Sequence, residues 1–319
     1  MATLYLDRKD VHVRLDGNAL AVYAQGERQG MIPLNPLTHV VIVGHVLLET
    51  PVLHRLADQG ASVVFLSGKR MSFRGMLHGR LHRNGALRVR QYEKSLSDFA
   101  REVAQELVTR KIRRQRDFLE EARERRSDLR LSLTTAFQVL EGVLDTCGKE
   151  SMERSRLMGI EGGASAAYFG AYTGLFPESL NFQKRNRRPP KDPVNALLSL
   201  CYTLLHYEMV REIEVIGLDP VIGFLHGFDY GRESLACDLV EPYRSDVDRF
   251  VWELCRERTF TARDFAEDDE KPGCYLKKEA RKRFYPAYEV WAKAMRPIWT
   301  AETRTLARRI LDGQDPIPE

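Results

Sequence analysis

Between Leu87 and Leu144 the chain holds no proline and a single glycine, and apolar residues such as Val103, Leu107, Ile112 and Leu119 return every three, four or seven positions. Only a long helix gathers such residues on one side, and that side needs a surface to pack against. The preceding residues have a different period. Segments 3–7, 11–15 and 19–24 alternate apolar and polar residues, with Asp16-Gly17-Asn18 as a tight turn, which is hairpin sequence. Residues 39–43 form a further apolar run. Thr50-Pro51 then opens a short helix that Gly60 stops, and strands follow at 62–66 and 73–77. The expected fold class is therefore α+β: a small β-rich N-terminal domain at 1–82 followed by a larger all-α domain at 83–319.

The helical period resumes after Ser151. It is interrupted by Phe182-Gln-Lys-Arg-Asn-Arg-Arg-Pro-Pro-Lys-Asp-Pro193, whose prolines and basic groups predict an irregular cationic loop. Asp192 and Pro193 read as the cap and first position of a nearly apolar helix that Gly217 ends, the expected centre of the helical domain. The 319 residues carry a net charge of only +4. Local basic runs therefore matter more than the total. The run Arg110, Lys111, Arg113, Arg114, Arg116 reads first as a solvated helix face and second as a nucleic-acid contact. Five widely spaced cysteines without a CxxC pair argue against a disulfide framework or zinc ribbon and for a reducing, cytoplasmic setting. No stretch approaches the roughly 18 apolar residues of a membrane span.

Three segments place chemistry-capable side chains in unusual company. Glu161 lies in Gly159-Ile-Glu-Gly-Gly-Ala-Ser-Ala-Ala-Tyr168, whose small residues predict a crowded interior; a carboxylate paired with a buried Arg is the plainer alternative. His226 stands among apolar residues, as a core histidine or a metal ligand. Asp238 and Glu241 are three apart behind Ser234, a plausible N-cap, so their carboxylates share a helix face unless a cation or Arg244 relieves them. Pro242 predicts a bend there. One Glu, one His and an Asp/Glu pair suit Mg2+ or Mn2+ better than structural zinc, and beside a cationic loop they point to phosphodiester chemistry.

Five motifs in order carry a family resemblance: Gly44-His45-Val46 through Pro51-Val-Leu to Gly60-Ala-Ser-Val-Val-Phe65; the segment around Glu161; Arg187-Arg-Pro-Pro-Lys-Asp-Pro-Val-Asn195 through Tyr202; Leu225-His226; and Ser234-Leu-Ala-Cys-Asp238-Leu-Val-Glu241-Pro-Tyr-Arg244. Together they resemble the CRISPR-associated integrase, the universal spacer-acquisition endonuclease. The resemblance implies a catalytic helical domain and a homodimer joined mainly through the N-terminal domains. It also implies a heterohexamer with a small ferredoxin-like partner, acting on duplex DNA with 3′ overhangs and on CRISPR repeat DNA. It puts metal ligation on Glu161, His226 and Glu241, with Asp238 as a fourth catalytic position, either behind the ligands or as an alternative one. Expected phosphate contacts are Lys184, Arg185, Arg187, Arg188 and Lys191, then Arg244, Lys277 and Lys278. A stand-alone repair endonuclease and a nonenzymatic DNA-binding scaffold are the competing readings.

Overall fold

The computed structural model describes residues 2–79, 84–186, 189–267 and 272–313. Alternation becomes strand through most of the N-terminal region: β1 (Ala2–Leu6), β2 (Val11–Asp16), β3 (Ala19–Ala24), β4 (Glu27–Pro33), β5 (Leu37–Val43), β6 (Val46–Leu48), then α1 (Thr50–Asp58), β7 (Ser62–Leu66) and β8 (Phe73–Leu77). β4 and β6 were not read from the sequence. β4 is exposed along most of its length and lacks an apolar face to alternate, and β6 has only three residues. Two four-stranded sheets result, ordered β4-β3-β2-β6 and β1-β5-β7-β8. In the second, β1, β5 and β7 run parallel and β8 antiparallel.

β5 explains why 39–43 is apolar without alternation. Val40 and Ile42 join Leu6, Val13, Leu20, Val52 and Leu56 in a core between the sheets, while Val41 and Val43 join Val64 and Leu66 against the helices. A strand covered on both faces needs apolar residues at every position.

The helical region comprises α2 (Gly85–Ser95), α3 (Asp98–Arg125), α4 (Arg130–Cys147), α5 (Arg154–Thr173), α6 (Pro193–Ile216), α7 (Ser234–Val240), α8 (Arg244–Arg256) and α9 (Lys278–Ile310), with a short hairpin of β9 (Phe265–Glu267) and β10 (Cys274–Leu276). The stretch expected as one long helix is thus α2, α3 and α4. Its two breaks fall at Ser97-Asp98 and Ser127-Asp128, residue types whose side chains compete for backbone groups. α6 is the centre: Asp192 caps it by accepting from the Asn195 amide (2.8 Å), and Gly217 ends it at φ +97°. Among the described residues no helix is long and apolar enough to cross a membrane.

Charge joins the sheets to the helices. Arg296 of α9 grips the buried Glu208 of α6 at 2.7 Å, reaches Glu289 at 2.6 Å, and donates to Thr3 of β1 at 3.2 Å. His39 of β5 completes the cluster, 3.1 Å from Glu208. Burial works against the Glu208 charge, but His39 and Arg296 outweigh it and hold the carboxyl down at about 2. Removing the cation would strand a buried carboxylate. Arg296→Met is expected to cost about 3–5 kcal/mol at neutral pH, measured by denaturant unfolding. The Glu208 contribution is complete above the ordinary glutamate range and lost as pH falls toward 2, so the difference between wild type and Glu208→Gln should shrink over that window.

Candidate active site

The residues expected to carry chemistry meet where α3, α5, α7 and the loop after α6 converge on a cleft of about 1320 Å3. Glu161, His226, Glu241, Lys111 and Arg244 line it from the helical side, and Lys69 and Arg70 from the loop between β7 and β8 close it on the N-terminal side. Glu161 projects from α5 and accepts from Ser165 Oγ one turn on, at 2.8 Å. Its small neighbours do not form the expected crowded interior: Gly159, Gly162 and Gly163 are exposed, and a Cβ on any of them would meet nothing within 4 Å. The buried face of α5 is instead Leu157, Ala164, Tyr168, Ala171 and Tyr172.

Asp238 and Glu241 part company at the end of α7. The expected bend is there, as a 3-10 turn at Glu241–Tyr243 between α7 and α8. Asp238 turns inward and is fully buried. It accepts from the backbone N–H groups of Phe224 (2.6 Å), Leu225 (2.8 Å) and His226 (2.8 Å), and its Oδ1 lies 2.7 Å from His226 Nδ1. It therefore sits behind the residues that line the cleft, against the ring of His226. With Nδ1–H donated to that carboxylate, the imidazole presents the lone pair of Nε2 to the cleft. Ser234 is the first residue of α7 rather than its cap, and its hydroxyl donates to the Gly227 carbonyl at 2.7 Å. Arg232 donates to the same carbonyl at 2.9 Å, which tightens the loop that carries His226.

Glu241 stays on the cleft and is held from two sides. Lys111 Nζ donates to Oε2 at 2.6 Å and Arg244 Nε to Oε1 at 2.8 Å. Burial opposes its charge, yet Arg244 and Lys111 keep the carboxyl far below the usual range. Lys111 also donates to Glu161, so one ammonium bridges both carboxylates. The buried cation beside Glu161 is thus a lysine where an arginine was anticipated, and the partner of Arg244 is Glu241, since the oxygens of Asp238 are taken by amides. Lys111 was hidden in its basic run. The signal lay in its phase, because it occupies the buried stripe of Leu107, Val108, Ile112, Gln115 and Leu119. Most of the rest of the run is not an open cationic stripe either: Arg110 pairs with Glu302, Arg114 with Asp246 at 2.5 Å, and Arg116 with Glu141 at 2.6 Å, while Arg113 is exposed.

Of the expected phosphate contacts, Arg185 and Arg244 line the cleft, Arg185 held by Asn195 Oδ1 at 2.7 Å and Arg244 lying 4.7 Å over the Tyr202 ring. Lys184 and Lys191 are exposed on the loop before α6, and Arg187 and Arg188 lie outside the described residues. Lys277 and Lys278 are exposed at the start of α9, with Lys277 donating to the Arg263 carbonyl at 2.8 Å. All five cysteines are free, and burial pushes the Cys237 thiol at the cleft up to about 11, which leaves it a poor nucleophile at neutral pH.

Residues 4–290 match the family model described as CRISPR associated protein Cas1. The chain belongs to the Cas1 family. It is 53% identical over 315 residues to the CRISPR-associated endonuclease Cas1 1 of Thermodesulfovibrio yellowstonii, covering 99% of each chain. It is 36% identical over 297 residues to the namesake from Moorella thermoacetica, covering 90% of this chain and 85% of that one. Among solved structures, a CAS1 protein from Thermotoga maritima superposes with TM-score 0.82 at 27% identity over all of both chains. A chain of a Cas6-RT-Cas1–Cas2 complex gives 0.82 at 25% identity, over 98% of this chain and 35% of that one. The Cas1 fold thus accounts for the β-rich start and the helical remainder.

Whether the Cas1 cleft suits a divalent cation is a question of donors. Two carboxylates and one imidazole nitrogen face the same space, an oxygen-rich set of the kind Mg2+ or Mn2+ takes. Among the described residues no three His, Cys, Asp or Glu side chains form a compact metal cluster, and here the two carboxylates are gathered round the Lys111 ammonium. The donors fit in kind.

Two outcomes follow from the groups behind the cleft. A Cβ at Gly223 would come within 2.7 Å of Asp238 Oδ2 and 2.8 Å of the Ser234 carbonyl carbon. Gly223→Ala should therefore displace the Asp238 clamp and cost about 1–3 kcal/mol in thermal unfolding. Asp248, fully buried beneath Tyr168 (3.0 Å) and Tyr202, has its carboxyl raised to about 6 by burial, against the two phenol hydrogen bonds. Its folded pKa exceeds its unfolded one, so stability falls as pH rises from about 4 through 6. Asp248→Asn should remove up to about 3 kcal/mol of that pH dependence in urea melts.

Proposed function

We propose that this chain is a metal-dependent DNA endonuclease and integrase that inserts short foreign DNA segments into a CRISPR array. The observation that carries the reading is the Asp238–His226 pair: a buried carboxylate 2.7 Å from Nδ1 holds the imidazole that lines a cleft shared with Glu161 and Glu241. In this reading Glu161, His226 and Glu241 hold Mg2+ or Mn2+. When bound, the cation supplies polarisation of the scissile phosphate and stabilises the departing oxyanion. The attacking group is the 3′-hydroxyl of the incoming strand. It gives up its proton and bonds to phosphorus as the repeat-strand P–O bond breaks, and that strand's oxygen takes up a proton. With water as attacker the same exchange is hydrolysis.

The protein's own contribution is binding and orientation. Asp238 holds the imidazole, Arg244 fixes the Glu241 carboxylate, and the cations around the cleft, with Lys184 and Lys191 on the loop before α6 and with Arg187 and Arg188, meet the phosphate backbone. Lys277 and Lys278 are a further basic surface for the same DNA. The substrate is duplex DNA with 3′ overhangs joined to CRISPR repeat DNA. The working assembly is a homodimer joined through the N-terminal sheets and combined with a small ferredoxin-like partner into a heterohexamer, in the cytoplasm. Relatives named as Cas1 endonucleases and a neighbour solved within a Cas1–Cas2 complex support this.

The Lys111 bridge gives the scaffold reading one specific support, since its ammonium pairs with both of the site's carboxylates. Incubating the protein and its small partner with a fluorescent overhang duplex and a repeat-bearing plasmid in Mg2+ or Mn2+ separates the readings. Joining that needs metal, that falls by at least about 100-fold in a folded His226→Ala variant and by about 10–100-fold in Asp238→Asn, is the expected result. Cleavage without joining would favour a repair nuclease. DNA binding indifferent to metal and to both substitutions would leave only the scaffold.

A further inference from the structure

Lys111 is the one buried lysine among the described residues, at 6% exposure, and its ammonium contacts both carboxylates that the proposed function assigns to a cation. As the site stands, the carboxylates of Glu161, Glu241 and, behind His226, Asp238 face the two cations Lys111 and Arg244. A divalent cation on Glu161 and Glu241 would turn that single negative excess into a positive one beside two cations already in place, which is unfavourable. The excess is relieved when anions enter the cleft, and a DNA strand brings one with every phosphodiester. The two cations at Glu241 differ in freedom. Arg244 is braced on the Tyr202 ring, whereas Lys111 is a point charge on a flexible four-carbon stem that lines the open cleft.

We propose that Lys111 couples metal loading to nucleic-acid binding: it occupies the carboxylates in the free protein and transfers to a phosphodiester oxygen when DNA arrives, releasing Glu161 and Glu241 to the cation. The inference rests on the metal-dependent reading above and adds to it that cation and strand bind cooperatively. Linkage makes the effect reciprocal, so the strand should tighten the cation by the same factor as the cation tightens the strand. The free protein would then hold little metal, and its phosphodiester chemistry would be assembled only on a substrate.

The test is a titration of Mn2+ followed by the loss of its free electron paramagnetic resonance signal. It is run on wild type, Lys111→Met and Glu161→Gln, with and without a short duplex whose own Mn2+ binding is subtracted. Wild type should bind about tenfold tighter with duplex than without. Lys111→Met should bind tightly without duplex and gain little from it, while Glu161→Gln binds weakly throughout. Equal or weaker Mn2+ binding by Lys111→Met in the absence of DNA, with wild type still binding, would overturn the coupling and leave the metal site intact. No Mn2+ uptake by wild type even with duplex would overturn the metal reading and the coupling with it. If Lys111→Met is unfolded without metal, recovery of its helical circular dichroism on adding Mn2+ supports the exchange, and persistent unfolding at saturating Mn2+ refutes it.

Discussion

Ionised or ionisable carboxyls taken out of water must each find a partner, and in this chain four of them do so in four ways. Glu208 is answered by a guanidinium and an imidazole, Glu241 by an ammonium and a guanidinium, Asp238 by three backbone amides and one ring nitrogen, and Asp248 by two phenols. The partner decides the role. Where full cations answer, the charge is locked in place, and Glu208 becomes a tie between sheet and helices. Where amides answer, as at Asp238, the carboxylate sets the path of a loop and the aim of a histidine. Where only hydroxyls answer, as at Asp248, burial wins and the carboxyl drifts toward neutrality.

The site inherits its precision from these buried partners. His226 belongs to a loop without regular structure, yet its backbone is pinned at three successive amides by one side chain from α7. Gly223 lets that side chain come close, and Ser234 and Arg232 tie the far end of the loop at Gly227. These supporting contacts give a loop histidine the fixed surroundings that a regular element would otherwise supply.

Much of the architecture was legible because period and punctuation agreed. Residues 62–66 and 73–77 read as strands with those bounds, and Asp192, Pro193 and Gly217 marked both ends of α6. The failures have physical causes. Two Ser-Asp pairs split a stretch whose lack of proline and near-lack of glycine had suggested one helix. Glycines around Glu161 signal close approach only if something approaches, and on α5 Gly159, Gly162 and Gly163 face outward. The spacing of Asp238 and Glu241 promised a shared face, but a 3-10 turn begins between them and sends the carboxylates to different partners. Lys111 was missed because composition counts charges and does not phase them: the same run holds arginines paired across the surface and one lysine in the apolar stripe.

β5 has a further consequence. From Val40 to Val43 its residues alternate between two separate cores, so the strand is a party wall between the β-rich region and the helices. Neither region can be lifted away without baring one side of it, and the loop leading from its neighbour β7 brings Lys69 and Arg70 to the cleft. The two cations at the mouth of the site are thus set in place by the same strand pair that separates the two cores.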